Sequence, residues 1–117
     1  MKIADVLQYD DFIFALCSFL DSFKLSDDKY EMICDEPEAY ETDRASLCIL
    51  AAVAHKLSND YSLDMPEWID KELYIMPYPI YSFDTKNREY QQYLIETSPD
   101  EFACRNIYFG ANAIERV

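Results

Sequence analysis

The chain has one histidine, His55, and four cysteines, Cys17, Cys34, Cys48 and Cys104. Nucleophilic or thiolate–metal chemistry would have to rest on these. A hydroxyl or thiol nucleophile needs a base within hydrogen-bond reach, and His55 is the one imidazole on offer. Cys48 stands seven residues before it. On one helix that is two turns, about 10.5 Å of rise, which excludes a direct nucleophile–base contact and makes joint zinc ligation implausible. Cys17, Cys34 and Cys104 are left to meet either residue in space. No C-x-x-C pair is present, so zinc has no ligand spacing behind it. His55 is expected to be a partly exposed helical histidine.

Carboxylates are the other chemical resource. Residues 26–43 hold eight of them, Asp27, Asp28, Glu31, Asp35, Glu36, Glu38, Glu41 and Asp43, against one base, Lys29. Calcium would need a D-x-D-x-D-G pattern with glycine at the sharp turn, and neither is present. A glycosidase-like pair of acids has no specific spacing to mark it in a chain with 23 acidic residues. There is no glycine-rich loop to cradle phosphate. The sequence therefore nominates no catalytic residue, no metal ligand and no cofactor.

What the charge does specify is a class of partner. With 10 basic residues and 23 acidic ones the net charge is −13. Such a chain repels nucleic acid and anionic membrane, so a natural partner, if it has one, would be a basic protein. The plainer reading is that acidity keeps an apolar-rich domain soluble and monomeric. The longest uncharged stretches, 45–54 and 73–83, fall short of the roughly 20 residues that span a bilayer. Asp5, Asp10 and Asp11 interrupt the N-terminus where a signal peptide needs an apolar run. A cytoplasmic protein with reduced thiols is expected, its cysteines acting as small hydrophobes.

The elements that would position these residues are mostly helical. Half of the 117 residues are hydrophobic, and there is a single glycine, Gly110. One domain over 1–117 with one core fits that length. Near absence of glycine disfavours tight hairpins. A short helix is expected at 3–8. Asp10 would cap a longer one whose stripe is Ile13, Leu16, Leu20 and Phe23, widened by Phe12 and Phe19. Ser26 would cap a short helix bearing Tyr30 and Ile33, stopped by Pro37. The central helix is 43–60, capped by Thr42 or Asp43, with Leu47, Leu50, Ala51, Ala54, Leu57 and Tyr61 on one face. Asp64, Pro66 and Glu67 start a short helix presenting Trp68. Asp84 would cap helix 85–97 with Tyr90, Tyr93 and Leu94 inward. Ser98-Pro99-Asp100-Glu101 restarts the chain with a cap, a first-turn proline and a capping-box acid.

The segment 73–83 differs from the rest. Pro77 and Pro79 forbid helix and push the residues before them to extended backbone. The bond between Tyr78 and Pro79 is a candidate for the cis form. An extended strip across the helices is expected, with pairing to the tail from Ile107 as an option. From Trp68 to Phe83 the chain carries five aromatics, Trp68, Tyr74, Tyr78, Tyr81 and Phe83. Either they cover the core, or they form an exposed patch beside the acidic face, where Trp and Tyr are good interface anchors.

Two stretches carry a family resemblance. One is Leu50-Ala51-Ala52-Val53-Ala54 through Leu57, followed by Pro66-Glu67-Trp68. The other is Ser98-Pro99-Asp100-Glu101-Phe102-Ala103-Cys104-Arg105-Asn106-Ile107, with Arg116 near the end. In order and spacing they resemble a family of small bacterial proteins of no assigned activity, with L-x-A-x-A-x-x-L, P-x-W and S-P-x-x-F-x-x-R-x-I elements. The resemblance covers about residues 40–117. Its members resemble predicted antitoxins that accompany nucleotidyltransferase-like toxins. The likeness implies structural or interface roles for Arg105 and Arg116, against the plainer reading of ion pairs or caps to nearby acids. The Tyr74–Tyr81 aromatics and the 26–43 acids depart from the pattern.

The reading is an all-α protein, a compact bundle of about five or six short helices crossed by an extended Pro/aromatic segment. Its expected function is that of a non-enzymatic protein-binding module, an antitoxin-like inhibitor of a basic or nucleic-acid-directed protein. Asp35, Glu36, Glu38, Glu41, Trp68, Tyr78 and Arg105 are the candidate binding residues. The alternatives are a small hydrolase or transferase using clustered carboxylates or His55, and a structural homo-oligomer such as a homodimer.

Overall fold

The computed structural model describes residues 1–38 and 43–111, and the fold is mainly α. Five α-helices are present among them: α1 (Phe12–Leu25), α2 (Lys29–Ile33), α3 (Arg44–Asp60), α4 (Arg88–Thr97) and α5 (Asp100–Ala103). Short 3₁₀ turns at Ile3–Gln8, Glu67–Asp70, Glu72–Tyr74 and Ser82–Asp84 fill the connections. Two short strands, β1 (Ile80–Tyr81) and β2 (Ile107–Tyr108), pair in parallel, Ile80 beside Ile107 and Tyr81 beside Tyr108. The expected bundle and the optional strand pairing are both found.

α3 is the hub. It buries Leu47, Cys48, Leu50, Ala51, Ala52, Val53, Ala54, Leu57 and Ser58, more than one stripe's worth, so neighbours surround it. The small side chains at 51, 52 and 54 let those neighbours approach closely. Ser58 is buried without cost because its hydroxyl donates to the Ala54 carbonyl at 2.8 Å. Burial raises the Cys48 thiol above its ordinary pKa, so it stays a neutral hydrophobe.

Several helix starts differ from expectation, each for a local reason. Asp11, not Asp10, caps α1, its carboxylate accepting from Phe14 N at 3.0 Å. Ile13, expected on the inner stripe, is exposed with Phe14, while Ala15, Phe19, Leu20 and Phe23 are buried. Asp28 caps α2, and Ser26 instead accepts from Asp28 N at 3.2 Å. Asp43 makes no side-chain cap to α3, and Thr42 lies outside the described residues. Pro66 stands at the cap position of the Glu67–Asp70 turn, so Asp64 does not cap it. Asn87 caps α4 by accepting from Tyr90 N at 2.9 Å, displacing Asp84, which belongs to the preceding turn. That start leaves Tyr90 and Tyr93 exposed, stacked on each other with ring centroids 6.1 Å apart, and only Leu94 buried. Ser98 does not cap α5. Its hydroxyl donates to Leu94 O at 2.6 Å and accepts from Gly110 N at 3.0 Å. Gly110 has φ +91, backbone that disfavours any side chain, and this lets the chain after β2 close onto α4.

The Pro/aromatic segment is extended around Pro77 and Pro79, and all peptide bonds are trans among the described residues. Met76 N donates to Arg105 O at 3.1 Å and Ile80 N to Asn106 O at 2.9 Å. The strip is thus sewn to the chain after α5 by backbone bonds that its prolines cannot themselves provide.

Candidate binding groove

The end of α2 and the Glu67–Asp70 turn face each other across a groove of about 500 Å³, lined by Tyr30, Cys34, Asp35, Glu36, Glu67, Trp68 and Lys71. α2 is short because Cys34-Asp35-Glu36 precedes a buried Pro37, which cannot continue a helix. Its last carbonyls are left without intrahelical partners. Trp68 supplies one: its indole N–H donates to Ile33 O at 3.1 Å, and its ring meets Tyr74 edge-on at 5.2 Å. Of the two readings open for the aromatics of 68–83, Trp68 takes the one that covers the core, while still lining the groove. The residue is 4 % exposed and holds the two walls together from beneath.

The groove gathers three of the seven candidate residues. Asp35 lies at the rim, its carboxylate 3.9 Å from Lys2 Nζ. Glu36 accepts from Lys71 Nζ at 2.6 Å and from the Tyr74 hydroxyl at 2.9 Å. Burial, and then this bond to Glu36, raise the Tyr74 phenol far above its ordinary value, so it remains a donor. Cys34 is likewise raised, by burial and by Asp35, which disfavours the reactive thiolate. Trp68 forms the floor. Glu38 is exposed beyond Pro37, outside the groove lining. Glu41 falls outside the described residues, as does Arg116. Tyr78 is 60 % exposed on the proline strip, and it too is absent from the lining. Farther along, Phe83 is 95 % exposed with φ +56, left-handed backbone that a bulky residue seldom adopts.

Arg105 is not at the groove surface but behind it. It is 4 % exposed and makes no ion pair among the described residues, contrary to the expectation of a salt bridge. Its NH2 donates to Ile69 O at 3.0 Å. Its NH1 donates to Glu101 O at 2.7 Å, to Cys104 Sγ at 3.2 Å and to His55 Nδ1 at 3.0 Å. Its buried Nε has no partner among the described residues. Glu101 turns its carboxylate to Asn59 Nδ2 at 3.0 Å instead. Burial raises this acid's pKa, but the bond from Asn59, the backbone bond at Glu101 and the nearby Lys56 and His55 charges together outweigh it and hold the acid below its ordinary value. The guanidinium therefore ties α3, α5 and the Glu67–Asp70 turn together through neutral acceptors.

An arginine N–H can only donate, so His55 Nδ1 presents its lone pair and the proton sits on Nε2. Burial, and then the Arg105 charge, lower the imidazole below its ordinary pKa, opposed by Glu101 and Asp70. A base whose lone pair is already taken by a guanidinium is poorly placed to activate a nucleophile. Sequence reasoning missed Lys71 and Glu67 at the groove and the His55–Arg105 contact. The first two flank Trp68 closely in sequence and carried a signal. The third joins residues 50 apart and carried none.

No helix among the described residues is long and apolar enough to cross a membrane, and no group of three or more metal-ligating side chains converges among them. No protein-family model, no curated protein and no solved structure matches the chain.

Proposed function

We propose that the protein is a non-enzymatic binding module that captures a basic segment of a partner protein at the acidic groove, in the manner of an antitoxin that inhibits a nucleic-acid-directed target. The observation that carries this is the groove's composition. Three carboxylates, Asp35, Glu36 and Glu67, surround one ammonium, Lys71, over an aromatic floor and beside the Tyr30 ring. A lysine or arginine entering there meets net negative charge and ring faces or edges to pack on. The rest of the −13 charge accelerates the encounter from a distance. Tyr78, exposed on the proline strip outside the groove lining, is a further anchor available to a partner.

The test is capture from lysate by the tagged protein at low and high salt, run beside the double variant Asp35→Lys, Glu67→Lys. Both residues are exposed, so the variant keeps its core. The expected outcome is a basic protein retained by the wild type at low salt, weakened at high salt, and lost with the variant. Identical retention by wild type and variant would remove the groove from the function.

A further inference from the structure

The Glu67–Asp70 turn is held from two sides. Glu67 and Trp68 line the groove, and Trp68 bonds to the end of α2. One residue on, the Ile69 carbonyl accepts from Arg105 NH2 at 3.0 Å. The same guanidinium reaches His55 Nδ1 at 3.0 Å through NH1. This contact exists only while Nδ1 carries a lone pair. A proton there would set N–H against N–H and place a second positive charge 3.0 Å from a guanidinium that is itself 4 % exposed.

The groups around the imidazole do not cancel that repulsion. From α5 and the turn after it come Glu101, Cys104 and Arg105, and from the Glu67–Asp70 turn comes Asp70. Glu101 is engaged by Asn59, and neither Glu101 nor Asp70 forms an ion pair with His55 among the described residues. On α3, Lys56 is engaged by Asp60 at 3.1 Å.

We propose that the His55–Arg105 contact is a proton-operated latch on the groove: neutral His55 steadies the guanidinium against Ile69 O and fixes the turn that carries Trp68, and protonated His55 drives the guanidinium away and loosens that turn. The consequence for partner binding rests on the groove being the binding site, whereas the latch itself does not. Because burial and Arg105 disfavour the charged imidazole, the latch is shut near neutral pH and opens in mild acid.

One histidine and one tryptophan make the two ends of the latch separately visible. His55 is followed by its imidazole NMR signals, and Trp68 by its fluorescence and the exchange of its indole N–H, between pH 8 and pH 5. Helix content by circular dichroism monitors global unfolding. The expected result is a Trp68 transition that tracks the His55 titration, with helix content unchanged and indole exchange speeded by about tenfold. His55→Asn keeps an acceptor near Nδ1 and takes up no proton, and it is expected to abolish the transition. A Trp68 signal that stays flat while His55 titrates overturns the latch, as does an unchanged transition in His55→Asn. If that variant does not fold, the wild-type pair of titrations still decides. The experiment needs no partner, so its failure leaves the groove reading standing, and failure of capture leaves the latch standing.

Discussion

The two cations that flank the Glu67–Asp70 turn are handled in opposite ways. Lys71 lies at the open groove and rests on a carboxylate, Glu36, at 2.6 Å, with half of its side chain in solvent. Arg105 lies behind the turn, almost wholly buried, and rests on two carbonyls, a thiol and an imidazole. In water an ion pair adds little, because solvent serves either partner almost as well. In the interior a charge is tolerated when most of its donors are satisfied, as at Arg105 NH1 and NH2 though not at Nε, and removing it orphans every acceptor it served. The buried cation is thus structural and the exposed one exchangeable. Arg105→Ala should break this contrast most severely. It strands Ile69 O and Glu101 O and opens a cavity, a loss of about 3 kcal/mol or more read from the urea midpoint. Arg105→Lys should recover little of it, since one ammonium cannot span three elements.

Trp68 is the next test, because it ties the groove to the core as Arg105 ties the turn to α3. Trp68→Phe keeps a ring but leaves Ile33 O without its donor. The expected cost is about 1–2 kcal/mol, measured by denaturant unfolding. Tyr78→Ala, on an exposed side chain, should change stability by no more than about 0.5 kcal/mol.

Comparison of these residues also shows what the sequence made legible. Helix α3 was readable because Leu47, Leu50, Ala51, Ala54 and Leu57 recur at helical spacing, and the Pro77/Pro79 strip because proline admits few conformations. The burial of Trp68 was not, since it depends on where α2 stops and on which carbonyl is left open there. The fate of Arg105 was less legible still. An acidic chain predicts an ion pair for a rare arginine, but the nearest acid in sequence, Glu101 on the preceding helix, is bound to Asn59. The cap shifts from Asp10 to Asp11 and from Asp84 to Asn87 have one cause. Adjacent polar residues compete for the cap position, and tertiary packing chooses between them.

The proton sensitivity of the buried side should appear in stability as well as in the latch. The unfolded chain binds the His55 proton more readily than the folded one, because the folded imidazole is held below its ordinary pKa of 6.5. Its contribution is therefore fully present above that value and is lost as pH falls through and below it. Glu101, also lowered, adds a second loss that begins only near its ordinary value of 4.5. Urea midpoints at pH 7.5, 6.5 and 5.5 should fall in the wild type and stay level in His55→Asn. A parallel fall in both would assign the effect to other groups.

The smallest effect on stability is expected at Lys71, and it sharpens the comparison from the other side. Lys71→Ala removes an exposed ion pair but leaves Glu36 bonded to the Tyr74 hydroxyl, so the unfolding midpoint should move by no more than about 0.5 kcal/mol. The groove, however, gains negative charge. If Lys71 occupies the place that a partner's cation takes, its removal should raise the association rate for a basic partner and steepen the fall of that rate with salt. Stopped-flow association at two ionic strengths reads both. A slower association with unchanged salt dependence would mean that Lys71 is itself a contact, and that the groove recognises an acid rather than a base.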